Sequence, residues 1–267
     1  MSATVKQPSL YIPHGGGPCF FMDWTPPDAW TEMGTYLSRA SESLPDQPDA
    51  LIVISAHWES DPIAITAATQ PRLIYDYYGF PDHTYELDWP AAGDPALAVT
   101  ALELLEGAGI NARLDNERGF DHGVFVPLKL MFPNAQVPTI QVSIHPSLDP
   151  ALHLSIGKAL SALRSNNVLI IGSGMSFHDV GALMGRRSTK ESAAFDEWLN
   201  NTVRETQSER DGLLIGWQRA PAARHCHPRE EHLLPLHVVA GAAGEDPGTN
   251  DFRGNVLGAS VSAFRFG

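Results

Sequence analysis

The chain has 267 residues, 43% of them hydrophobic and 18% charged, enough for one large domain with a substantial core and too apolar for a disordered chain. A formal charge of -13 with no Lys/Arg cluster beyond Arg186-Arg187 argues against a nucleic-acid partner, whose phosphates are held by clustered cations. No stretch is long and apolar enough to span a bilayer, the N-terminal residues carry no signal-peptide core, and two cysteines are too few for a disulfide framework or a thiolate zinc site; the expectation is a cytoplasmic protein with reduced thiols and no membrane association.

In chain order, an apolar strand over residues 10–13 runs into His14 and the turn Gly15-Gly16-Gly17-Pro18, with Cys19 close enough to be a candidate for oxidation near a site. Residues 27–44 read as a helix opened by a proline pair. A second buried strand, 51–56, runs into His57, and a third covers 63–68. Residues 75–93 are rich in aromatics, Pro and Gly, a composition suited to a loop that lines or covers a site, or to a packed surface loop. A helix is expected over 94–105, with Asp94-Pro95 at its start and Gly107 past its end, and His122 opens another apolar helical stretch. Strand 137–144, helix 150–163 and strand 168–171 follow, the last running into a glycine turn, Gly172-Ser173-Gly174, and then His178. Residues 190–206 form a charged amphipathic surface helix, and residues 256–266 alternate as a half-buried strand. Strands alternating with helices predict an α/β fold: a single-domain sandwich over residues 1–267, with a central mostly parallel or mixed sheet flanked by helices.

Eleven histidines matter here less by number than by place. His14, His57 and His178 stand at or just beyond apolar strands, where an α/β sheet presents groups to the crevice at its strand ends. Imidazole binds Zn, Fe, Ni and Cu, so the residues alone indicate a transition-metal class rather than one metal. His225-Cys226-His227 is a second possible chelate or, equally, a loop support. Gly15-Gly16-Gly17 lacks the Lys and Ser/Thr of a phosphate loop, and Gly172-Ser173-Gly174-Met175-Ser176 does not supply the Gly-x-Ser-x-Gly elbow of a serine hydrolase.

Six motifs in order, Pro13-His14-Gly15-Gly16-Gly17-Pro18, Ser55-Ala56-His57-Trp58-Glu59, Tyr77-Tyr78-Gly79-Phe80-Pro81, Asp121-His122-Gly123, Gly172-Ser173-Gly174 with His178, and His227-Pro228 through His232 to His237, resemble the class III extradiol ring-cleaving dioxygenases, in their DOPA extradiol dioxygenase branch. The resemblance spans nearly the whole chain. It implies one divalent metal ion per chain, Fe(II) for activity with Zn possible on isolation, held at strand ends by His14, His57 and His232. The wider class has a glutamate where His232 stands, which keeps Glu230 and Glu231 as carboxylate alternatives. It further implies a small aromatic diol and O2 as substrates, a semialdehyde acid as product, His178 as the base and His122 as a hydrogen-bond donor toward the oxygen.

No substrate-binding residue is assigned. Trp24, Tyr75, Tyr78 and Phe177 are candidate ring walls, and Arg118, Asp121, Asp179 and Arg229 candidate partners for a substrate carboxylate or amine. A zinc hydrolase using the same three histidines and a non-catalytic interaction protein are the rival functions, and monomer or homodimer are both open.

Overall fold

The central strands are apolar on both faces, so they are stable only under cover on both sides. In the computed structural model, which describes residues 6–185 and 189–267, that cover is supplied by helices. The elements in order are β1 (Ser9–Pro13), α1 (Thr31–Ala40), β2 (Ala50–Glu59), β3 (Ile63–Thr66), α2 (Pro95–Gly107), β4 (Ala112–Asp115), α3 (His122–Met131), β5 (Thr139–Ile144), α4 (Pro150–Leu160) and β6 (Val168–Gly174). They continue with α5 (Val180–Met184), α6 (Thr189–Thr202), α7 (Gln207–Ile215), α8 (Ala223–Cys226), α9 (Leu234–Ala243), β7 (Gly248–Val256) and β8 (Ala259–Phe266).

One mixed sheet has the order β4-β3-β5-β2-β6-β1-β8-β7. Its middle, β5-β2-β6-β1, is parallel, while β3 runs against β5, β8 against β1 and β7 against β8. Side chains alternate as the pleat requires. Leu51 and Val53 enter one core with Leu37, Phe125 and Ile171; Ile52 and Ile54 enter the other with Ala101, Ile140 and Leu160. Because β1, β2 and β6 point the same way, their C-terminal ends meet at one edge of the sheet, and the His14 N–H extends the ladder by donating to the Gly174 carbonyl at 3.0 Å.

Several boundaries differ from those read in the sequence. β2 continues through His57 to Glu59, so His57 lies inside the strand, within a register shift against β5 between Ile54 and Glu59. Gly172-Ser173-Gly174 is strand rather than turn. A Cβ on Gly172 would strike the Pro235 carbonyl, and one on Gly174 the His232 carbonyl, so these glycines let the segment carrying His232 lie against the sheet. The helix expected over 27–44 begins only at Thr31 after a run of turns, and Val256 closes one strand of a hairpin instead of opening the last strand. Elements β4, α5, α7, α8, α9 and β7 have no counterpart in the sequence reading. Arg186-Arg187 lie outside the described residues. Among the described residues no helix is long and apolar enough to cross a membrane.

Candidate metal centre

Three histidines from three elements converge at the strand ends. His14 follows β1, His57 lies near the end of β2, and His232 precedes α9; one ligand atom from each lies within 4.8 Å of the others. His14 and His57 face each other through their Nε2 atoms at 3.1 Å. Two nitrogens bound at about 2.1 Å and about 90–109° apart on one ion would be separated by about 3.0–3.4 Å, so the spacing suits a shared cation. Burial depresses the basicity of all three, reinforced by the neighbouring imidazoles: His14 and His232 fall well below the ordinary histidine value and His57 to about 3. Neutral imidazoles are the form that ligates. His14 is 1% and His232 4% exposed, whereas the His57 and His178 side chains keep 22% and 26%, leaving the cluster open to solvent on their side.

The opposite ring edges are held by acceptors. Ser173 gives its hydroxyl hydrogen to the Gly123 carbonyl, so its Oγ accepts from His14 Nδ1 at 3.0 Å and the bare His14 nitrogen is Nε2. His232 Nδ1 donates to Glu231 Oε1 at 2.9 Å, and the Tyr11 hydroxyl fixes the His232 carbonyl at 2.8 Å. The end of β2 is anchored by fully buried Asp121, which accepts from Ser55 at 2.7 Å while Ser55 Oγ accepts the His57 N–H at 3.2 Å. His57 Nδ1 stands 3.8 Å from Asp76 Oδ2, too far for a hydrogen bond.

His178 and His122 flank the three. The His178 ring stacks on His232 with centroids 3.3 Å apart and planes 13° apart, its Nδ1 3.3 Å from Glu231 Oε1. His122, the first residue of α3, packs 4.0 Å from the His57 ring centre, and both its N–H and its Nδ1 reach Asp76 Oδ1, at 2.9 and 2.8 Å. Asp76 and Glu231 are partly buried, which opposes ionisation. Their bonds to His122 and His178 outweigh that cost and hold both carboxyls below the usual carboxylate range.

The structure rearranges the other candidates. Glu230 is turned to Arg224 at 2.6 Å, whereas Glu231 sits in the cluster beside His232. Tyr78 is 91% exposed; Tyr77 is the tyrosine against His122, 5.8 Å between ring centres, with Tyr75 behind it on Tyr77 and Phe125. Trp24 lines a separate cavity of about 310 Å³ with Phe20, Trp30 and Leu130, and Phe177 is buried 6.4 Å from the His225 ring centre. Asp121 is sealed from any substrate, Asp179 caps α5, Arg118 is spent on Asp121 and the Trp58 face, and Arg229 is clamped by Glu59. The Cys19 thiol is buried and pushed upward by that burial, the opposite of an oxidation-prone thiolate. In 225–227, His227 is buried with Nε2 on the Ser176 carbonyl and Cys226 with its thiol on the Glu191 carbonyl, which makes the segment a packed support.

A family model described as the catalytic LigB subunit of aromatic ring-opening dioxygenase matches residues 10–263, which include all five of these histidines. The chain belongs to the LigB family. Among its relatives, a protein named dioxygenase tasH from Hapsidospora irregularis is 38% identical, the match covering 97% of this chain and 85% of the relative. A 4,5-DOPA dioxygenase extradiol from Portulaca grandiflora is 36% identical, covering 89% and 86%, and one from Escherichia coli K12 is 32% identical, covering 97% and 93%. A crystal structure of an uncharacterized protein from Escherichia coli K12 superposes with a TM-score of 0.79 at 28% identity, covering 98% of this chain and all of that one. Membership of LigB makes the chain a relative, in sequence, of aromatic ring-opening dioxygenases.

Proposed function

We propose that this LigB-family chain is an extradiol dioxygenase that opens a DOPA-like catechol with O2 to a semialdehyde acid, with His14, His57 and His232 as ligands of one divalent metal ion, Fe(II) in the active form. The observation that carries this reading is the convergence of three imidazoles with ligand atoms within 4.8 Å of one another, two of them 3.1 Å apart, flanked by two further histidines whose Nδ1 atoms face carboxylates. Three neutral donors suit the site to an anionic diol, because they leave the charge of a divalent cation uncompensated. When bound, the metal ion supplies open positions at which diol and O2 are brought together.

The protein's own residues do the rest. His178 receives a catechol hydroxyl proton at Nε2, the nitrogen left free when Nδ1 faces Glu231, and returns it later in the reaction. His122, whose Nδ1–H is held by Asp76, presents Nε2 to the reacting oxygen and donates from it only once a proton has been taken up there, when the hydrogen bond stabilises developing charge. Tyr77 closes the side of His122 with an apolar ring, which favours an aromatic substrate. His57 and His178 form the exposed edge through which substrate enters.

Fe(II)-reconstituted protein offered a catechol panel under air is expected to produce a coloured ring-opened product, with DOPA-like catechols among the substrates. Zinc-loaded protein that cleaves esters while the iron form leaves every catechol intact would instead establish the hydrolase.

A further inference from the structure

We infer that Asp76 and Glu231 are paired positioning residues: each carboxylate fixes the Nδ1–H tautomer of one non-ligand histidine, His122 or His178, while standing against one ligand histidine, His57 or His232. The inference rests on the proposed metal site and deepens it. Glu231 Oε1 accepts from His232 Nδ1 at 2.9 Å and stands 3.3 Å from His178 Nδ1, which faces it, while those rings lie stacked. Asp76 Oδ1 takes His122 Nδ1 at 2.8 Å and Oδ2 stands 3.8 Å from His57 Nδ1, whose ring centre lies 4.0 Å from that of His122. The same device thus occurs twice, on two unrelated segments: Asp76 in an irregular loop and Glu231 in the turn before α9.

An ionised carboxylate only accepts, so a nitrogen bonded to it must be the donor. A neutral imidazole with hydrogen on Nδ1 has its lone pair on Nε2. Carboxylate and imidazole therefore dictate which atom faces the substrate, as carboxylates commonly do behind metal-bound histidines. Glu231 is itself held from the far side. Arg229 reaches it at 3.4 Å and is gripped through both guanidinium arms by Glu59, at 2.6 and 2.8 Å, two residues beyond His57 on β2. The strut Glu59–Arg229–Glu231 ties the strand that bears His57 to the turn that bears His232. Sharing one carboxylate couples ligand and proton carrier, so a shift of either ring moves the other.

Two-bond ¹⁵N–¹H NMR of histidine-labelled, zinc-loaded full-length protein tests this without turnover. His122 and His178 of the wild type are expected to carry hydrogen on Nδ1 and a bare Nε2. Asp76→Ala should move the His122 hydrogen to Nε2 and Glu231→Ala that of His178, whereas Asp76→Asn and Glu231→Gln, which keep an amide oxygen acceptor, should restore the wild-type pattern. In the iron form the Ala variants should lose about tenfold or more in kcat with little change in KM. Nε2–H tautomers in the wild type, or unchanged tautomers in both Ala variants, would overturn the inference. Nδ1–H tautomers in a protein that opens no catechol would sustain the positioning and refute the dioxygenase reading alone.

Discussion

Ser173 is not a metal-ligand type of side chain, yet the orientation of His14 depends on it. Its hydroxyl links the Gly123 carbonyl in α3 to His14 Nδ1, and both of those partners are buried. Ser173→Ala leaves a buried donor and a buried acceptor unpaired, at a cost of about 1–3 kcal/mol, and frees the His14 ring to turn. Chemical denaturation should register that loss, and metal titration should show affinity weakened by about tenfold to a hundredfold. Substitutions within the cluster should separate binding from chemistry: His14→Ala and His57→Ala abolish metal binding by elemental analysis, whereas His178→Ala keeps the metal and loses about a hundredfold or more in turnover. Full turnover in metal-loaded His178→Ala would remove it from the mechanism. At this scale His14, His57 and His178 are legible because each ends or follows an apolar strand and His122 because it opens an apolar stretch, whereas His232, preceded by Glu230 and Glu231, is marked only by the family resemblance. Asp76 and Glu231 were not legible as supports: Asp76 lies 46 residues from His122 in an aromatic loop, a separation no spacing rule covers, and Glu231 read only as a rival ligand.

Elements matter through how closely they approach. The turn before α9 can bring His232 to the strand ends only because β6 carries no side chain at Gly172 and Gly174. Gly174→Ala drives a methyl into the His232 carbonyl, already engaged by Tyr11, and such overpacking costs about 1–3 kcal/mol. Thermal melts should shift down by several degrees, with metal affinity falling in parallel; a lower melting temperature at unchanged affinity would show that His232 is not placed by this contact. Glycines that read as a turn are thus the surface on which the third histidine rests.

The elements missing from the sequence reading share a cause. Helix α9 (Leu234–Ala243) is buried all round, so it has no polar face and no helical stripe to recognise, and β7 (Gly248–Val256) is an exposed polar edge strand without alternation. Four-residue β4 is too short for a pattern. The parallel strands β2, β5 and β6 stood out because burial on both faces makes them nearly continuous apolar runs.

Taken whole, the molecule buries many histidines in neutral form, and its stability should follow them with pH. His153, remote from the metal centre, is pushed down to about 4 by burial, and its Nε2 accepts the His145 N–H at 3.1 Å. His227 is pushed down to about 3 in the same way, with its Nε2 on the Ser176 carbonyl. Their folded values lie below the unfolded value of about 6.5, so between these limits the unfolded chain binds protons that the folded one refuses. Their contribution to stability is therefore complete above about pH 6.5 and is lost as pH falls from there through the folded values. Urea midpoints of metal-free protein should decrease steadily from pH 7 to pH 4. His153→Gln, which removes the titrating ring, should flatten that slope.

The α/β sheet, its parallel centre and its strand-end crevice exist in this account to assemble one chemistry: incorporation of O2 into a catechol ring. Oxygen consumption by the Fe(II)-loaded protein, recorded together with loss of a DOPA-like catechol, tests that most directly. The account predicts one O2 taken up per catechol opened, with uptake abolished in His178→Ala of equal iron content. Catechol left intact and no oxygen consumed by fully iron-loaded protein, across the panel, would contradict it.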